Sequence, residues 1–203
     1  MAGLVTQQHE RSAWPGTILI RIMDVVFSVV MLILTAPVML AAAVAIKIES
    51  PGPVLFTQKR VGQHNRLFTL YKLRTMRVGT PEVAKESLTN LGEFVTVVGS
   101  FLRKTSIDEL PQLINVIMGD MSLVGPRPAL YNQYDLIAMR TDLGIHRIRP
   151  GITGIAQVRG REDLSLEEKV AFDRQLAESL GPGLYIRLLI DTLVAVVTAR
   201  GAY

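Results

Sequence analysis

An uncharged segment near the N-terminus sets the first limit on what this chain can form. Residues 25–46 include no Asp, Glu, Lys or Arg. These 22 residues can form a helix long enough to cross a hydrocarbon core about 30 Å thick. The mean hydropathy of the chain, +0.31, is high for a soluble protein, and most of the excess comes from this segment. We therefore expect a membrane protein.

Two features of the segment bear on its course through the bilayer. Pro37 lies near its middle and removes one helical hydrogen bond, so a bend is expected there. Arg21 and Lys47 place positive charge at both ends, and positive residues mark cytoplasmic flanks. We favour a re-entrant helix kinked at Pro37 over a spanning helix. A cleaved signal peptide is not expected, because no small-residue cleavage site follows at the usual distance.

A small β-hairpin is predicted after the membrane segment. Two short strands are expected at residues 54–57 and 67–73, connected through residues 62–65. Strand alternation places Lys72 and Arg74 on one face, which can meet phosphate. For most of the hairpin's basic residues we favour a solvated surface or contact with anionic lipid, where each charge contributes about 1 kcal/mol. These basic residues are Lys59, Arg60, Arg66, Lys72 and Arg74.

The rest of the chain is predicted to be mostly helical. Apolar residues at helical spacing indicate a helix at residues 94–104, which would carry Arg103 toward the acidic residues described below. Residues 78–90 are expected to form a loop near the site. Further helices are expected at residues 166–180 and 184–199, the second lying in the membrane interface. The predicted fold is α+β, predominantly α, with interfacial helices around a single core.

Asp108 and Glu109 are adjacent carboxylates in a mostly apolar context. Two such groups repel each other and need a cation or a hydrogen-bond donor to remain ionised. The alternative interpretation is structural, because Ser106-x-x-Glu109 matches a capping box at a helix start. Pro111 would interrupt a helix that began at Ile107, so the start is expected to be irregular or later. Both interpretations stay open, since capping would also help to keep Asp108 ionised.

A loop rich in glycine and proline follows at residues 119–128. Its glycines allow tight turns, and its prolines restrict the backbone on both sides of Arg127. The guanidinium can then be held for a bidentate phosphate contact, and the alternative is a structural pair with a carboxylate. Together with Asp108, Glu109 and Arg103, this loop suits phosphate chemistry on a divalent metal, which prefers oxygen ligands.

A group of arginines surrounds the stretch Pro150-Gly-Ile-Thr-Gly154 and raises the question of nucleic acid. Only 6% of the residues are aromatic, and none interleaves with these arginines, so nucleic-acid binding is not expected. Binding of a diphosphate or a lipid phosphate is one use for them, and a surface salt-bridge network is the other. The group consists of Arg147, Arg149, Arg159 and Arg161.

Several short motifs occur in a fixed order along the chain. They are Tyr71-Lys-Leu-Arg-Thr-Met, Ser106-Ile-Asp-Glu-Leu-Pro-Gln-Leu-Ile-Asn-Val, Gly119-Asp-Met-Ser-Leu-Val-Gly-Pro-Arg-Pro and Arg149-Pro-Gly-Ile-Thr-Gly-Ile-Ala-Gln-Val. With the apolar segment before them, they resemble the signatures of the bacterial sugar transferase family, the small monotopic phosphoglycosyl transferases. The resemblance covers about residues 18–192.

The resemblance implies an activity. A sugar phosphate would move from a UDP-sugar to a polyprenyl phosphate such as undecaprenyl phosphate, releasing UMP, through a covalent phosphosugar on Asp108. Glu109 is implied to bind Mg²⁺, the implied cofactor. Asp120 is open as a second metal ligand, a loop cap or, the favoured role, an acceptor that orients an arginine. Phosphate-binding roles are implied for Lys72, Arg103, Arg127 and Arg149, and supporting roles for Asp120 and Gln157.

The resemblance also implies a location and partners. Residues 1–49 would form an N-terminal tail and the re-entrant helix, and residues 50–203 a membrane-associated catalytic domain. The protein would be monotopic, at the cytoplasmic face of the bacterial inner membrane. Its partners would be a UDP-sugar donor, a polyprenyl phosphate acceptor and membrane lipid, and its product would begin a glycan.

Some positions depart from the family pattern. Ile155 stands where tryptophan is common, Leu176 stands where tyrosine is common, and Gly181-Pro-Gly lengthens a loop. These departures leave the sugar open, because selectivity depends on pocket walls rather than on shared phosphate chemistry. The oligomeric state is also open, since no heptad repeat is present. The alternative functions are a lipid pyrophosphate hydrolase, in which the same groups activate water, and a non-enzymatic membrane scaffold.

Overall fold

The computed structural model describes residues 17–80, 94–160 and 164–198. Its first helix, α1, Thr17–Glu49, is a single 33-residue element with Pro37 inside it. At 1.5 Å per residue, such a helix is about 50 Å long. By length and composition it is apolar enough to cross a membrane. The prediction of a long apolar helix is confirmed, while its course in a bilayer stays a prediction.

The predicted hairpin is present, with a longer first strand. β1, Leu55–Val61, pairs antiparallel with β2, Leu67–Leu73, across a 3-10 turn at Gln63–Asn65. The sequence prediction ended the first strand at residue 57, where polar and charged residues begin. Pairing with β2 continues the strand to Val61, because the backbone hydrogen bonds of the ladder do not depend on side-chain polarity.

Helix α2, Val97–Thr105, starts later than the predicted helix at residues 94–104. The Thr96 hydroxyl accepts a hydrogen bond from the Gly99 N–H at 2.9 Å and so caps the helix at this point. Gly99 also has a packing role, because a Cβ at that position would collide with the Thr75 carbonyl. The glycine that weakens the helix therefore allows α2 to lie against the backbone beside β2.

The capping box that was the alternative interpretation of Ser106 is not formed in the structure. Ser106 has a left-handed backbone, with φ of 58°, and its N–H bonds to carbonyls of α2, so it ends that helix. Its side chain makes no cap hydrogen bond. A 3-10 turn, Ile107–Glu109, follows, and α3, Gln112–Met118, begins only after Pro111. The expected irregular and later helix start is thus confirmed, because proline is tolerated only at the beginning of a helix.

Two short strands lie side by side, and the first contacts α1. β3, Ser122–Val124, pairs in parallel with β4, Gly151–Thr153. A Cβ added at Gly151 would collide with the backbone of Gly125, so glycine is required for this close approach. The crossing keeps the loop that follows β3 against the turn before β4.

The remaining α-helices of the described residues follow in order, and a 3-10 turn, Ile145–Arg147, lies between the first two. They are α4, Tyr134–Asp142, α5, Ile155–Arg159, α6, Leu166–Ser179, and α7, Pro182–Val197. Ser165 and Glu168 form a reciprocal capping box at the start of α6. Both predicted C-terminal helices are present, and α7 begins at Pro182 because proline suits the first helical position.

One buried apolar cluster joins α1 to most of these elements. The predicted α+β, predominantly helical fold is confirmed. Ile155 and Leu176, two of the departures from the family pattern, are both buried in this cluster. They therefore act on core packing. The cluster consists of Ile20, Phe68, Leu70, Leu113, Val116, Met121, Leu123, Val124, Ile155, Leu176, Tyr185 and Leu188.

Polar contacts tie the first third of α1 to this body. Arg21 donates to the carbonyls of Val116 and Ile117, at 2.6 and 2.9 Å. Those carbonyls are at the C-terminal end of α3, where a positive side chain is favourable. Asp24 is only 1% exposed. Its Oδ1 accepts hydrogen bonds of 2.8–2.9 Å from the Ser122 hydroxyl, the Leu123 N–H and the Tyr185 hydroxyl.

The last third of α1 packs against the same body from another side. Ala42 and Ile46 are buried with Leu73 of β2 and Leu102 of α2. The Glu49 carboxylate accepts hydrogen bonds from the first N–H groups of α2, at 2.6 and 3.0 Å. Between these two contact regions α1 exposes many large apolar side chains, among them Ile33, Leu34 and Leu40, each 67–68% exposed.

Candidate active site

The 3-10 turn between α2 and α3 presents both acidic residues on one short segment. The left-handed Ser106 reverses the chain before the turn, and Pro111 directs it into α3 afterwards. Asp108 is buried, with 7% of its surface exposed. The Glu109 side chain is 18% exposed. Both side chains are thus largely shielded from solvent.

Glu109 is the acceptor at which two distant cations meet. Its Oε1 lies 2.7 Å from Lys72 Nζ and 2.9 Å from Arg127 Nη2. Lys72 comes from β2, and Arg127 comes from the loop after β3. The structure therefore brings together three of the residues that the sequence analysis assigned to the site, while their roles stay predictions.

Arg103 approaches the other carboxylate from the end of α2. Its Nε donates to the Thr75 hydroxyl at 2.9 Å, which fixes the guanidinium beside the turn. Its positive charge is one of those that act on Asp108. Helix α2 thus ends with Arg103 near enough to act electrostatically on Asp108, and its binding of phosphate stays a prediction.

The pKa values of the two carboxyls are displaced in opposite directions. Burial raises the pKa of Asp108 to about 6, against the lowering effect of Lys72 and with a further rise from Glu109. Burial alone would also raise the pKa of Glu109. The charges and hydrogen bonds of Arg127 and Lys72 outweigh it and hold that pKa well below its usual range.

Lys72 and Arg74 differ in their partners, although sequence alternation treats them alike. Lys72 binds Glu109, as described above. Arg74 is 6% exposed and donates to the carbonyls of Ser50 and Pro51 and to the Ser50 hydroxyl, at 2.7–2.8 Å. It joins β2 to the segment after α1. The expectation that Arg74 belongs to a solvated or lipid-facing surface is wrong, because these contacts bury it.

Asp120 lies on the turn between α3 and β3, and Arg149, which lies just before β4, contacts this turn. Arg149 Nε donates to the Gly119 carbonyl at 3.0 Å. Asp120 Oδ2 accepts a long contact of 3.4 Å from Asn115 Nδ2. That contact is to an amide instead of the expected arginine. Phosphate binding by Arg149 stays a prediction, and so does any contact of Asp120 with metal.

Gln157 supports the loop that carries Arg127. Its Nε2 donates to the Gly125 carbonyl at 3.3 Å. Its Oε1 is buried and has no hydrogen-bond partner in the part of the chain that the structure describes. Gln157 thus contacts the backbone of this loop, and its supporting role in catalysis stays a prediction. Arg161, the last of the arginines near Pro150, lies outside the described residues.

Arg60 is a site residue that sequence reasoning assigned to the surface. It donates to the Pro128 carbonyl at 3.1 Å and to Gln58 Oε1 at 2.7 Å. Burial, together with the charge of Arg127, lowers its pKa to about 10, while the charge of Glu109 opposes this shift. The register of β1 against β2 would have indicated this position, because Arg60 pairs with the buried Phe68 and lies on the same face of the hairpin.

The arrangement joins a buried carboxyl to an ionised one among several fixed cations. Such cations offset the charge of phosphate oxygens, and a carboxylate among them can act as a nucleophile. Within the described ranges no group of three or more His, Cys, Asp or Glu side chains forms a metal site. A metal held by one or two carboxylates together with substrate oxygens fits this donor set better.

Comparison with known proteins agrees with this chemistry. The family model of bacterial sugar transferases matches residues 16–199. The UDP-glucose:undecaprenyl-phosphate glucose-1-phosphate transferase of Caulobacter vibrioides is 41% identical over 192 residues, covering 90% of this chain and 71% of that protein. The exopolysaccharide production protein ExoY of Sinorhizobium fredii is 34% identical over 203 residues, covering 93% of this chain and 89% of that protein.

Other relatives are much longer than this chain. The undecaprenyl-phosphate galactose phosphotransferase of Salmonella typhimurium is 37% identical over 198 residues, which are 90% of this chain but 41% of that protein. This chain therefore spans only part of such relatives. The family match nevertheless extends over nearly all of its residues, from α1 to the end of α7. The chain belongs to the bacterial sugar transferase family.

Proposed function

We propose that this protein transfers a sugar phosphate from a UDP-sugar to undecaprenyl phosphate, with Asp108 as the nucleophile. The observation that carries the proposal is the buried carboxyl of Asp108 beside an ionised Glu109, with Lys72 and Arg127 on that carboxylate. The names of the Caulobacter and Salmonella relatives give the same acceptor. The site has the groups that such a transfer requires.

The first step forms a bond to the enzyme. A carboxylate oxygen of Asp108 attacks the β-phosphorus of the UDP-sugar, and the bond from that phosphorus to the bridging oxygen breaks. UMP leaves with the bonding electrons, and the sugar phosphate stays on Asp108. A carboxyl whose pKa is about 6 is mostly ionised at neutral pH, yet more basic than an ordinary aspartate. Both properties favour attack.

The second step regenerates the enzyme. A phosphate oxygen of undecaprenyl phosphate attacks the same phosphorus, and the bond to Asp108 breaks. The product is a sugar linked through a diphosphate to the lipid, and Asp108 returns as a carboxylate. Throughout, Lys72, Arg103 and Arg127 reduce the electrostatic cost of bringing two phosphates together. The product would serve as the first lipid-linked intermediate of a bacterial glycan.

Magnesium fits the residues at this site. Asp108 and Glu109 provide hard oxygen donors on one turn, and Mg²⁺ is usually held by one or two carboxylates with phosphate oxygens and water. Glu109 is the proposed ligand, since its strongly lowered pKa keeps it ionised. When bound, the ion would neutralise charge on the diphosphate. Lys72 and Arg127 keep the Glu109 carboxylate in place for this role.

The contacts of α1 support a monotopic topology. Its two ends pack against one folded body, through Asp24 at one end and Ile46 at the other. A simple crossing would place those ends on opposite sides of the bilayer. A helix that enters and leaves the same leaflet keeps both ends beside the body, and Pro37 lies in the exposed stretch between them. We propose the cytoplasmic face, because Arg21 and Lys47 flank this stretch.

The test of the proposed function is intact-protein mass spectrometry in detergent, with magnesium and without lipid acceptor. UDP-glucose, UDP-galactose and UDP-N-acetylgalactosamine would be supplied separately. We expect one of them to add the mass of a phosphosugar to the native protein and not to Asp108→Asn. Addition of undecaprenyl phosphate should then remove the adduct and yield the lipid product.

The same experiment separates the alternatives. Release of UMP and sugar phosphate without adduct or lipid product would identify a hydrolase of the UDP-sugar. A lipid pyrophosphate hydrolase would instead release phosphate from undecaprenyl diphosphate supplied in a parallel reaction. Lipid product formed without an adduct would replace two-step transfer by direct transfer. If neither adduct nor lipid product formed, and Asp108→Asn still bound anionic lipid, a membrane scaffold would be favoured. The sugar that labels the native protein would identify the donor.

A further inference from the structure

The loop that carries Arg127 is held by its carbonyl oxygens. Pro126 and Pro128 have no N–H, so this segment cannot be fixed by a regular ladder of backbone donors. Instead each successive carbonyl accepts a hydrogen bond. The donors to the carbonyls of Gly125, Pro126, Arg127 and Pro128 are Gln157 Nε2, the Gly151 N–H, Arg140 Nη1 and Arg60 Nη1, at 3.3, 2.9, 2.9 and 3.1 Å.

Arg140 is the donor that connects this loop to a buried acid on another helix. From α4 its Nε and Nη2 donate to Asp173 Oδ2 of α6, at 3.0 and 2.6 Å. Its Nη1 donates to the Arg127 carbonyl. The side chains of Arg140 and Asp173 are 13% and 2% exposed. When one carboxylate holds two nitrogens of a planar guanidinium, the third nitrogen has little freedom to move.

The side chain of Arg127 points away from this anchored carbonyl and toward the acidic residues of the site. While its carbonyl is held by Arg140, its side chain reaches Glu109 and is 51% exposed. A long, half-exposed side chain loses precision if its own backbone moves. Displacement of a positioning group by about 1 Å can lower a rate by about a hundredfold. Fixing the backbone of Arg127 therefore bears directly on where its guanidinium meets a phosphate.

We propose that Arg140 and Asp173 form a positioning pair for Arg127, acting through the Arg127 carbonyl without touching the substrate. The inference rests on the proposed function, since it assigns to Arg127 a contact with the donor's diphosphate. It extends the site to two helices, α4 and α6, that carry none of the acidic or phosphate-binding residues named above.

The test is a double-mutant cycle of Arg140→Gln and Arg127→Ala. UDP affinity would be measured by calorimetry with magnesium, and the rate of phosphosugar adduct formation by mass spectrometry. We expect each single variant to weaken UDP binding by about tenfold and to slow adduct formation by about ten- to a hundredfold. The double variant should be no worse than Arg127→Ala, because coupled residues are not additive.

Further variants separate positioning from general stability. Arg140→Lys keeps a cation beside Asp173 but cannot reach two partners with a planar fork, so it should restore thermal stability and not the rate. Asp173→Asn should repeat the non-additivity with Arg127→Ala. The matched control is Arg174→Gln, which removes an exposed ion pair with Glu178 on α6. It should change neither UDP affinity nor rate.

The outcomes distinguish this inference from the proposed function. The positioning role would be overturned if Arg140→Gln weakened UDP binding by the same factor in the native protein and in Arg127→Ala. It would also be overturned by a folded Arg140→Gln or Asp173→Asn that kept native UDP affinity. If no UDP-sugar labels the native protein, the proposed transfer fails. Non-additive losses of UDP affinity would still establish the positioning pair in that case, because this readout requires binding and no chemistry.

Discussion

Asp108 and Glu109 are consecutive residues, yet the protein raises the pKa of the first carboxyl and lowers that of the second. The difference arises from position. Asp108 is buried without a direct ion pair in the described structure, whereas Glu109 receives both Lys72 and Arg127 on one oxygen. One turn thereby provides a basic carboxylate suited to attack and an ionised carboxylate suited to metal.

The first prediction concerns the acceptor shared by the two cations. Glu109→Gln should slow adduct formation by at least about a hundredfold at low magnesium, because the amide neither attracts the metal nor holds Lys72 and Arg127 as strongly. Adduct formation measured across a magnesium series checks this. Glu178→Gln, which removes an exposed carboxylate on α6, is the control. A native magnesium dependence in Glu109→Gln would contradict metal binding at Glu109.

The second prediction concerns stability and pH. The folded pKa of Asp108, about 6, exceeds the ordinary value of 3.8. Ionised Asp108 therefore destabilises the fold above pH 6, the penalty falls as pH falls toward 3.8, and it is absent below that value. Asp108→Asn should raise the free energy of unfolding by about 1–3 kcal/mol at pH 7.5.

Thermal unfolding in metal-free detergent solution, at pH 7.5 and at pH 4.5, checks this prediction. The native protein and Asp108→Asn should differ at the higher pH, and this difference should be smaller at the lower one. Asp191→Asn, at an exposed i, i+4 pair with Arg187, serves as the control. A lower melting temperature for Asp108→Asn at pH 7.5 would refute the assignment of burial as the dominant effect.

The third prediction contrasts Lys72 of β2 with Arg74, which follows the end of that strand. Lys72→Gln should slow adduct formation with little change in melting temperature, because its amine acts on Glu109 in the site. Arg74→Gln should lower the free energy of unfolding by about 1–3 kcal/mol, because the carbonyls of Ser50 and Pro51 lose their charged donor. Thermal unfolding and adduct formation, measured on both variants, decide the matter. The opposite pattern would reverse the two assignments.

The fourth prediction concerns the carboxylate that anchors α1. Asp24→Ala should destabilise the protein by about 3–5 kcal/mol, because three buried donors lose their acceptor. Tyr185→Phe removes one of these bonds and should cost about 1 kcal/mol. Thr35→Val, at a hydroxyl that bonds only within α1 in the described contacts, is the control. Unfolding in detergent measures all three, and a neutral Asp24→Ala would exclude this anchor.

The fifth prediction concerns topology. The chain has no cysteine, so single cysteines can be introduced without background. Ile18 and Ile48 lie near the two ends of α1 and are 74% and 82% exposed. Ile18→Cys and Ile48→Cys should both react with an impermeant maleimide from the cytoplasmic side of inverted vesicles. Reaction from opposite sides would establish a spanning helix instead.

Much of the site could be predicted from short segments of sequence. Residues adjacent in the chain must be adjacent in space, so the pairing of Asp108 with Glu109 required no tertiary knowledge. Pro111 likewise determines locally where α3 can begin. The helix α1 and its preference for lipid could also be predicted from the apolar run, since both follow from composition over a window of residues.

Other features depend on chain crossings that local patterns do not specify. Ser106-x-x-Glu109 matched a capping box, but the same residues end one helix and form a 3-10 turn, because Ser106 takes a left-handed conformation. Arg60 was treated as a surface residue because strand register was unknown. Arg140 was not singled out at all, since its role exists only where α4, α6 and the Arg127 loop meet.

By itself the sequence determined the apolar helix, the adjacent acids, the proline-bounded arginine and the family to which the chain belongs. Only the tertiary structure decided that Lys72, 37 residues from Glu109, bonds to it while Arg74 holds the backbone after α1. The physical reason is the distance along the chain over which each kind of interaction acts. Helical periodicity and composition act between near neighbours, whereas the partner of a charged side chain depends on strand register and on which segments the core brings together.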